Sequence, residues 1–319
     1  MIESLQDYVE GNLSLLAPVE RCWQPTDLLP NLTAEGWREE MQRFREQARL
    51  LPDDLLVVLV GNMITEEALP NYAIALERVA RDPTGATETP WALWLRGWTA
   101  EENRHGDLLN AYLRLTGRVD MLAVERTVHH LIHNGFSYGN ESDEYAGLIY
   151  AAFQERATRL SHGNLARLAS GRGESNLAAI CRKIAADEAR HEVFYTKVVR
   201  ELFRRDPAGA ALAYRGALKK LVAMPGGRMA DGRDPDLFAH YSGVVSRVGV
   251  YTIRDYAAII QHLNEAWDLQ GLQLVGKAAK AQDYICRQPG RYAELADEIE
   301  GRTGETPTAR FSWLFDRPS

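Results

Sequence analysis

The run Ala100-Glu101-Glu102-Asn103-Arg104-His105 recurs in this chain as Ala186-Asp187-Glu188-Ala189-Arg190-His191, and no other feature restricts the fold so strongly. Each copy holds Glu-x-x-His inside a run of apolar residues at helical spacing. In the first, Trp94, Trp98, Glu102, His105, Leu109 and Tyr112 are separated by steps of 4, 4, 3, 4 and 3. Leu177, Ile180, Ile184, Glu188, His191, Tyr195, Val198 and Leu202 repeat the rhythm. Such steps keep side chains on one face of an α-helix, so both Glu–His pairs point into an apolar interior. A further Glu stands upstream of each copy: Glu66 lies 36 residues before Glu102, and Glu155 lies 33 before Glu188. Two helix pairs, each offering Glu and then Glu-x-x-His, match the ligand inventory of a carboxylate-bridged two-metal centre in a four-helix bundle.

Charge sharpens that expectation. A buried, unpaired carboxylate is costly and tends to take up a proton. Four inward glutamates need four positive charges, which two divalent ions supply. A competing account stays open at this level: Arg104 and Arg190 could form buried Glu–Arg pairs that stitch the bundle together. A lone Glu-x-x-His is ordinarily an exposed pair, but here both copies keep the inward register and both follow a candidate Glu helix. That repetition favours metal.

The rest of the chain reads as helix. The expected spans are Thr33–Leu50, Asp54–Arg81, Thr89–Thr116, Met121–His133, Glu144–Ala169, Ser175–Arg205, Ala208–Leu221, Pro235–Val248, Ile253–Leu269 and Lys277–Arg287. Pro52-Asp53-Asp54, Gly117, Ser142-Asp143, Gly171-Arg172-Gly173, Pro225-Gly226-Gly227 and Pro289-Gly290 punctuate them. Pro70 should kink its helix rather than end it. On this reading the four ligand helices exceed 25 residues each, and Trp91, Trp94 and Trp98 are core. No run alternates with period two, so the class is all-α. A bare bundle needs about 120 residues, and the 319 residues present read as a single domain over 1–319 whose extra helices serve a channel, docking surfaces or a dimer interface.

The longest strongly apolar run, Leu55 to Val60, is far too short to span a membrane. The start Met1-Ile2-Glu3-Ser4 has no signal or transit profile, and three scattered cysteines suit a reducing compartment. The expectation is a soluble intracellular protein. A net charge of −7 argues against general nucleic-acid affinity. Residues 196–235 are locally basic, with Lys197, Arg200, Arg204, Arg205, Arg215, Lys219, Lys220, Arg228 and Arg233 against four acids. An acidic partner could dock there, although a solvated helix face is the ordinary explanation.

The chain resembles the soluble acyl-acyl-carrier-protein desaturases, typified by the plant plastid stearoyl Δ9 enzymes. The similar stretches are Glu20-Arg21-Cys22-Trp23-Gln24-Pro25, Met63-Ile64-Thr65-Glu66-Glu67-Ala68-Leu69-Pro70 and Trp98 through Asn110. They continue through Phe153-Gln154-Glu155-Arg156-Ala157-Thr158, Ser161-His162-Gly163-Asn164, the Ala186–His191 run, Gly249-Val250-Tyr251-Thr252, Ala281-Gln282-Asp283-Tyr284 and Phe311-Ser312-Trp313-Leu314-Phe315-Asp316-Arg317. The resemblance implies a ferritin-like di-iron bundle extended by additional helices. Two Fe ions would be held by Glu66, Glu102, His105, Glu155, Glu188 and His191. It further implies that Asp187 bonds a ligand His and links to Trp23, and that Thr158 lies beside the oxygen-binding face. Thr158 could equally bond the carbonyl one turn back.

The implied activity is O2-dependent insertion of a cis double bond into a saturated acyl chain on acyl-carrier protein. The chain has no Gly-rich flavin or nicotinamide fingerprint, so electrons must come from outside, and the family uses ferredoxin. The resemblance also implies a homodimer, in bacterial cytoplasm or plastid stroma. No side chain is expected to act as nucleophile or general base; positioning in a bent, dry channel is the protein's part. Three departures bear on chain length, double-bond position and carrier docking. Ala239 stands where plant members have Asp near the channel mouth, Leu148 replaces an aromatic, and the segment between Glu66 and Trp91 is shorter. Other readings of the same ligands are a hydroxylase, an N-oxygenase, an aldehyde-processing enzyme or a non-catalytic ferritin-like iron-binding protein.

Overall fold

A computed structural model describes residues 1–139, 143–220, 222, 224–301 and 308–319. Twelve α-helices are described: α1 (Gln6–Glu10), α2 (Trp37–Ala48), α3 (Asp53–Glu67), α4 (Leu69–Ala80), α5 (Pro90–Thr116), α6 (Met121–Asn134), α7 (Glu144–Gly171), α8 (Ser175–Arg205), α9 (Pro207–Lys219), α10 (Leu237–Arg247), α11 (Ile253–Ala266) and α12 (Gly276–Glu300). The only strands among the described residues are β1 (Arg310–Phe311) and β2 (Arg317–Pro318), a two-stranded antiparallel clip. The class is all-α, as expected. None of the helices described is long and apolar enough to cross a membrane.

Helices α3, α5, α7 and α8 form a ferritin-like bundle. Helix α3 packs on α5, α7 packs on α8, and α5 meets α8 between the pairs. Helices α5 and α7 start where sequence chemistry says they should. Thr89 accepts from the Ala92 N–H with Pro90 at the first turn, and Gly117 ends α5 in the left-handed region at φ 65°. Asp143 caps α7 through the Tyr145 and Ala146 N–H groups. The expected turn residue Ser142 and the expected helix end Leu221 lie outside the described residues.

Prolines gave two differences. The expected single helix Asp54–Arg81 is two helices, broken at Ala68 (φ −81°, ψ 11°), so α3 has 15 residues rather than more than 25. Pro70 sits in the first turn of α4, where a missing N–H costs nothing. Conversely, Pro289 ends no helix: α12 runs through it for 25 residues. A helical proline orphans the carbonyl four residues back. That carbonyl, Ile285, accepts instead from the Asn264 side chain of α11 at 3.3 Å. A neighbouring helix has replaced the lost bond.

Two apolar clusters fill the bundle. One holds Leu59, Met63, Leu108, Leu109, Tyr112, Ile180 and Ile184, and is closed by Phe311, Trp313 and Leu314 of the C-terminal clip. The other holds Trp91, Trp94, Trp98, Phe153, Phe194, Tyr195 and Val198, backed by α9, α11 and α12. Along α5 the passage from one cluster to the other falls between Trp98 and Leu108; along α8 it falls between Ile184 and Phe194. Both Glu-x-x-His copies lie on this seam.

Candidate metal centre

The six candidate ligands converge there and are buried, with both imidazoles fully so. Their ligand atoms form two overlapping sets, Glu66, Glu102, His105 and Glu188, and Glu102, Glu155, Glu188 and His191, each lying within 4.8 Å of one another. Glu102 and Glu188 belong to both sets, the position of bridging carboxylates. The imidazoles are turned alike. His105 Nδ1 lies 3.3 Å from Glu102 and 3.7 Å from Glu188. His191 Nδ1 lies 2.7 Å from Glu102 and 3.4 Å from Glu155. Glu67, the neighbour of Glu66, turns away to accept from Asn110 at 3.0 Å.

Each ring's other nitrogen meets an outer carboxylate. His105 Nε2 lies 3.4 Å from Asp187, which also accepts from Trp23 Nε1 at 2.9 Å and Arg104 at 3.2 Å. His191 Nε2 lies 2.9 Å from Glu101, which also accepts from Arg190 at 2.6 Å and the Ala17 N–H at 2.7 Å. The repeat thus carries its own outer acid one place before each ligand Glu. Sequence reasoning named Asp187 and Trp23 but missed Glu101, although the alignment of the two copies pairs Glu101 with Asp187. It also missed His162, whose Nε2 lies 2.9 Å from Glu66 Oε1. Trp98, expected as plain core, donates to Glu155 at 2.9 Å.

The two accounts of the buried glutamates can now be separated. Arg104 and Arg190 pair with Asp187 and Glu101, not with the inner four. Two arginines against two outer acids leave the inner glutamates with four negative charges still to be met. Glu102 Oε1, Glu155 Oε2, Glu188 Oε1 and both Nδ1 atoms are cut off from solvent and find no hydrogen-bond partner outside the cluster. A set of orphaned hard oxygens and inward imidazole nitrogens fits a pair of divalent cations.

Without cations, protons carry the compensation. Burial raises the Glu188 carboxyl well up, helped by the charges of Glu102, Glu155 and Glu66. Burial alone would lower His105, but Glu102, Asp187 and Glu66 outweigh it and hold that imidazole at about 10. His191 is raised well above its ordinary value, because Glu101, Glu102 and Glu155 outweigh its burial. Asp187 and Glu101 go the other way: burial would raise them, but the imidazoles and Arg190 outweigh it.

Two cavities flank the cluster. The larger, about 330 Å³, runs from Glu66, Gln154 and Thr158 outward past Tyr241 and Tyr256 to the exposed Met224 and Ser246. That volume is in the range of small-molecule sites. The smaller, about 70 Å³, is bounded by Glu102, Glu155 and Glu188 on one side and by Leu76, Phe136, Tyr138 and Tyr150 on the other. Thr65, Glu66, Gln154, Thr158 and Pro225 line both, so the two meet at the cluster. Thr158 Oγ1 donates to the backbone carbonyls of Gln154 and Glu155 at 3.1 and 3.2 Å while facing this junction. Leu148 lines neither cavity and sits in the core, while Ala239 is exposed on α10 next to cavity-lining Phe238.

The basic stretch over residues 196–235 is largely spoken for. Arg204 and Arg205 pair with Glu201, Arg200 donates to the Ala266 carbonyl and Arg228 to the Asn134 carbonyl. Lys220 donates to the Gly139 carbonyl, and Lys219 is exposed.

A model of a fatty acid desaturase family matches residues 1–315. A chloroplastic acyl-[acyl-carrier-protein] desaturase of Cucumis sativus is 53% identical over 99% of this chain and 81% of its own length. A chloroplastic stearoyl-[acyl-carrier-protein] 9-desaturase of Ricinus communis is 51% identical over the same shares. Among solved structures, DesA2 of Mycobacterium tuberculosis is similar in fold, with a TM-score of 0.53 at 23% identity over 85% of this chain and 95% of that one.

Proposed function

The chain belongs to the fatty acid desaturase family, and from that premise we propose that it is an acyl-acyl-carrier-protein desaturase acting as one domain over residues 1–319. Its substrates are a saturated acyl chain on acyl-carrier protein and O2, with electrons from ferredoxin. The observation that carries this reading is the pair of ligand sets sharing Glu102 and Glu188 where two apolar-walled cavities meet. Two Fe ions are proposed to be held by Glu66, Glu102, His105, Glu155, Glu188 and His191. Reduced iron supplies the electrons that activate O2 for hydrogen removal from unactivated methylenes, chemistry beyond any side chain.

The chain's own residues do the rest. Asp187 and Glu101 fix the imidazole orientations and make the inward nitrogens better donors. Trp23 and Arg104 hold Asp187, and His162 and Trp98 hold Glu66 and Glu155. The larger cavity admits the acyl chain from the side of Met224 and Ser246, and the smaller receives its methyl end past the cluster. Apolar walls exclude water, so one C–C bond can be held against the ions without a competing reductant. Thr158, whose hydroxyl is on loan to helix carbonyls, can turn it into the junction toward O2. None of these groups needs to act as a nucleophile.

Acyl-carrier protein and ferredoxin are acidic, so docking on a chain of net charge −7 needs local positive charge. Lys219, close in the chain to Val222, Met224 and Pro225 of the larger cavity's lining, is the proposed contact for the carrier. A second copy of the chain is proposed to cover the open groove between the N-terminal segment and α4–α5, where Val19 and Ile74 are 81% and 73% exposed. The compartment is one that holds both partners, bacterial cytoplasm or plastid stroma. Incubation with acyl-carrier protein, ferredoxin and O2, followed by mass analysis of the acyl chain, tests the activity. Loss of two hydrogens supports it, gain of an oxygen makes the protein a hydroxylase, and an unchanged chain with bound iron makes it an iron-binding protein.

A further inference from the structure

Trp98, Tyr195, Trp94, Phe194 and Trp91 form a continuous aromatic column that begins on a candidate ligand. Trp98 donates to Glu155, and its ring meets Tyr195 edge-on with centroids 6.5 Å apart. Tyr195 meets Trp94 edge-on at 5.9 Å, and the Trp94 indole N–H donates to the Tyr195 oxygen at 3.3 Å. Trp94 stacks on Phe194 at 3.3 Å, and Trp91 meets Phe194 edge-on at 6.2 Å. The column ends where Trp91 Nε1 donates to the Ile2 carbonyl at 3.2 Å, in a turn whose Met1 and Glu3 are exposed. Packing alone asks only for large apolar residues. Indole and phenol differ from Leu or Phe in giving up an electron far more readily, and here they lead from a ligand to the edge of the protein.

We propose that this column carries oxidising equivalents out of the centre when O2 is activated with no acyl chain in the cavity, an inference that rests on the desaturase reading. Reducing O2 to two waters takes four electrons and four protons. A reduced metal pair would supply two electrons, and in desaturation the acyl chain would supply the other two together with two of the protons. With the cavity empty, the missing two electrons leave Trp98 one at a time, and water supplies the protons. Each loss leaves an indole radical cation that keeps its N–H on Glu155. Trp94 refills Trp98 across the Tyr195 ring, and Trp91 refills Trp94 across Phe194. A small reductant of the ascorbate or thiolate class restores Trp91 at the N-terminal turn. No proton travels along the column, so no residue in it needs a proton acceptor. The cluster is thereby spared oxidation at its own ligands.

The test uses the full chain, loaded with iron, reduced, and exposed to O2 without acyl-carrier protein, with and without ascorbate. The visible spectrum follows oxidation of the centre, electron paramagnetic resonance of frozen samples detects aromatic radicals, and peptide mass spectrometry locates oxygen adducts. An aromatic radical is expected, with adducts concentrated on Trp91 and Trp94 and suppressed severalfold by ascorbate. Trp94→Phe, which keeps a ring edge-on to His191 and removes no hydrogen bond to a candidate ligand, should move adducts severalfold toward Trp98 and Tyr195. A centre that oxidises in O2 without aromatic radical or adduct, or with adducts confined to Trp98 in the unaltered chain, overturns the column and leaves the desaturase reading standing. A reduced centre inert to O2 overturns both. The map of the unaltered chain decides even if Trp94→Phe does not fold.

Discussion

Glu101→Gln is the most discriminating substitution the site offers, because it should loosen one ion of the pair and spare the other. Glu101 accepts from His191 at 2.9 Å, Arg190 at 2.6 Å and the Ala17 N–H at 2.7 Å. Glutamine keeps the shape and one acceptor oxygen but removes the charge that makes His191 a strong ligand. Loss of such an outer partner costs about 10–100-fold in metal affinity, or about 1.4–2.7 kcal/mol at 1.36 kcal/mol per tenfold. The fold should suffer less than the roughly 3–5 kcal/mol of a fully broken buried pair, because Arg190 keeps Asp187 at 2.7 Å. His191 belongs to the set with Glu155, and His105 to the set with Glu66. Titration with a chelator, counting iron per chain, should therefore show one ion leaving early from Glu101→Gln and the second near its original position. Asp187→Asn should release the other ion, with chain-specific spectra distinguishing the two half-loaded forms. Chelator resistance equal to that of the unaltered chain would refute the role given to Glu101. Simultaneous loss of both ions would refute the division into two sets.

Loading the metal-free protein at pH 7 should release protons, because His105, held at about 10, and the raised His191 are protonated there and must lose the Nδ1 proton to bind an ion; an unbuffered titration that detects none contradicts the ligand assignment. In the metal-free chain the raised His105 imidazole contributes stability that is full below its ordinary 6.5 and fades as pH climbs through about 10, so unfolding midpoints of apo and loaded protein should diverge over that window. Gly61→Ala should destabilise by about 1–3 kcal/mol, offset in part by roughly 1 kcal/mol of helix propensity: its methyl would overlap the Tyr241 ring and break the 3.1 Å bond from Tyr241 to Asn62 at the cavity wall. A thermal midpoint at or above that of the unaltered chain would contradict this packing. Lys219→Ala should raise the apparent KM for acyl-carrier protein more at low salt than at high, whereas Lys220→Ala should also disturb the Gly139 loop through its lost carbonyl bond; an unchanged KM for Lys219→Ala removes it from the docking surface.

The repeat made the bundle and the six converging side chains legible because helical spacing is a local property, and both copies obey it. What escaped the sequence was set by contacts between helices. Pro70 and Pro289 look alike in the chain, but one falls at a break after Ala68 and the other within α12, where Asn264 supplies the missing donor. No local rule tells them apart. Glu101 was hidden for a different reason: beside Glu102 on a helix it should face some 100° away, which reads as outward. It does face away from the cluster, but toward Arg190 and His191 of α8, so it is buried nonetheless. His162 was equally invisible, because its partner Glu66 lies on another helix.

This placement of charge explains why the site can exist in an apolar interior at all. Concentric shells do the work. Asp187 and Glu101 are balanced by Arg104 and Arg190 at the border with the N-terminal segment, where backbone groups of Leu15, Ala17 and Trp23 share the hydrogen bonding. Within that balanced shell, four carboxylates and two ring nitrogens turn inward, with orphaned atoms on Glu102, Glu155, Glu188 and both imidazoles. Had the arginines reached the inner four, the bundle would be a closed ion-pair core with nothing left to coordinate. Because they stop one residue short, on the acid that precedes each ligand Glu, the negative charge of the seam stays uncommitted beside a cavity. The same offset of one residue in both copies separates structural from coordinating acids.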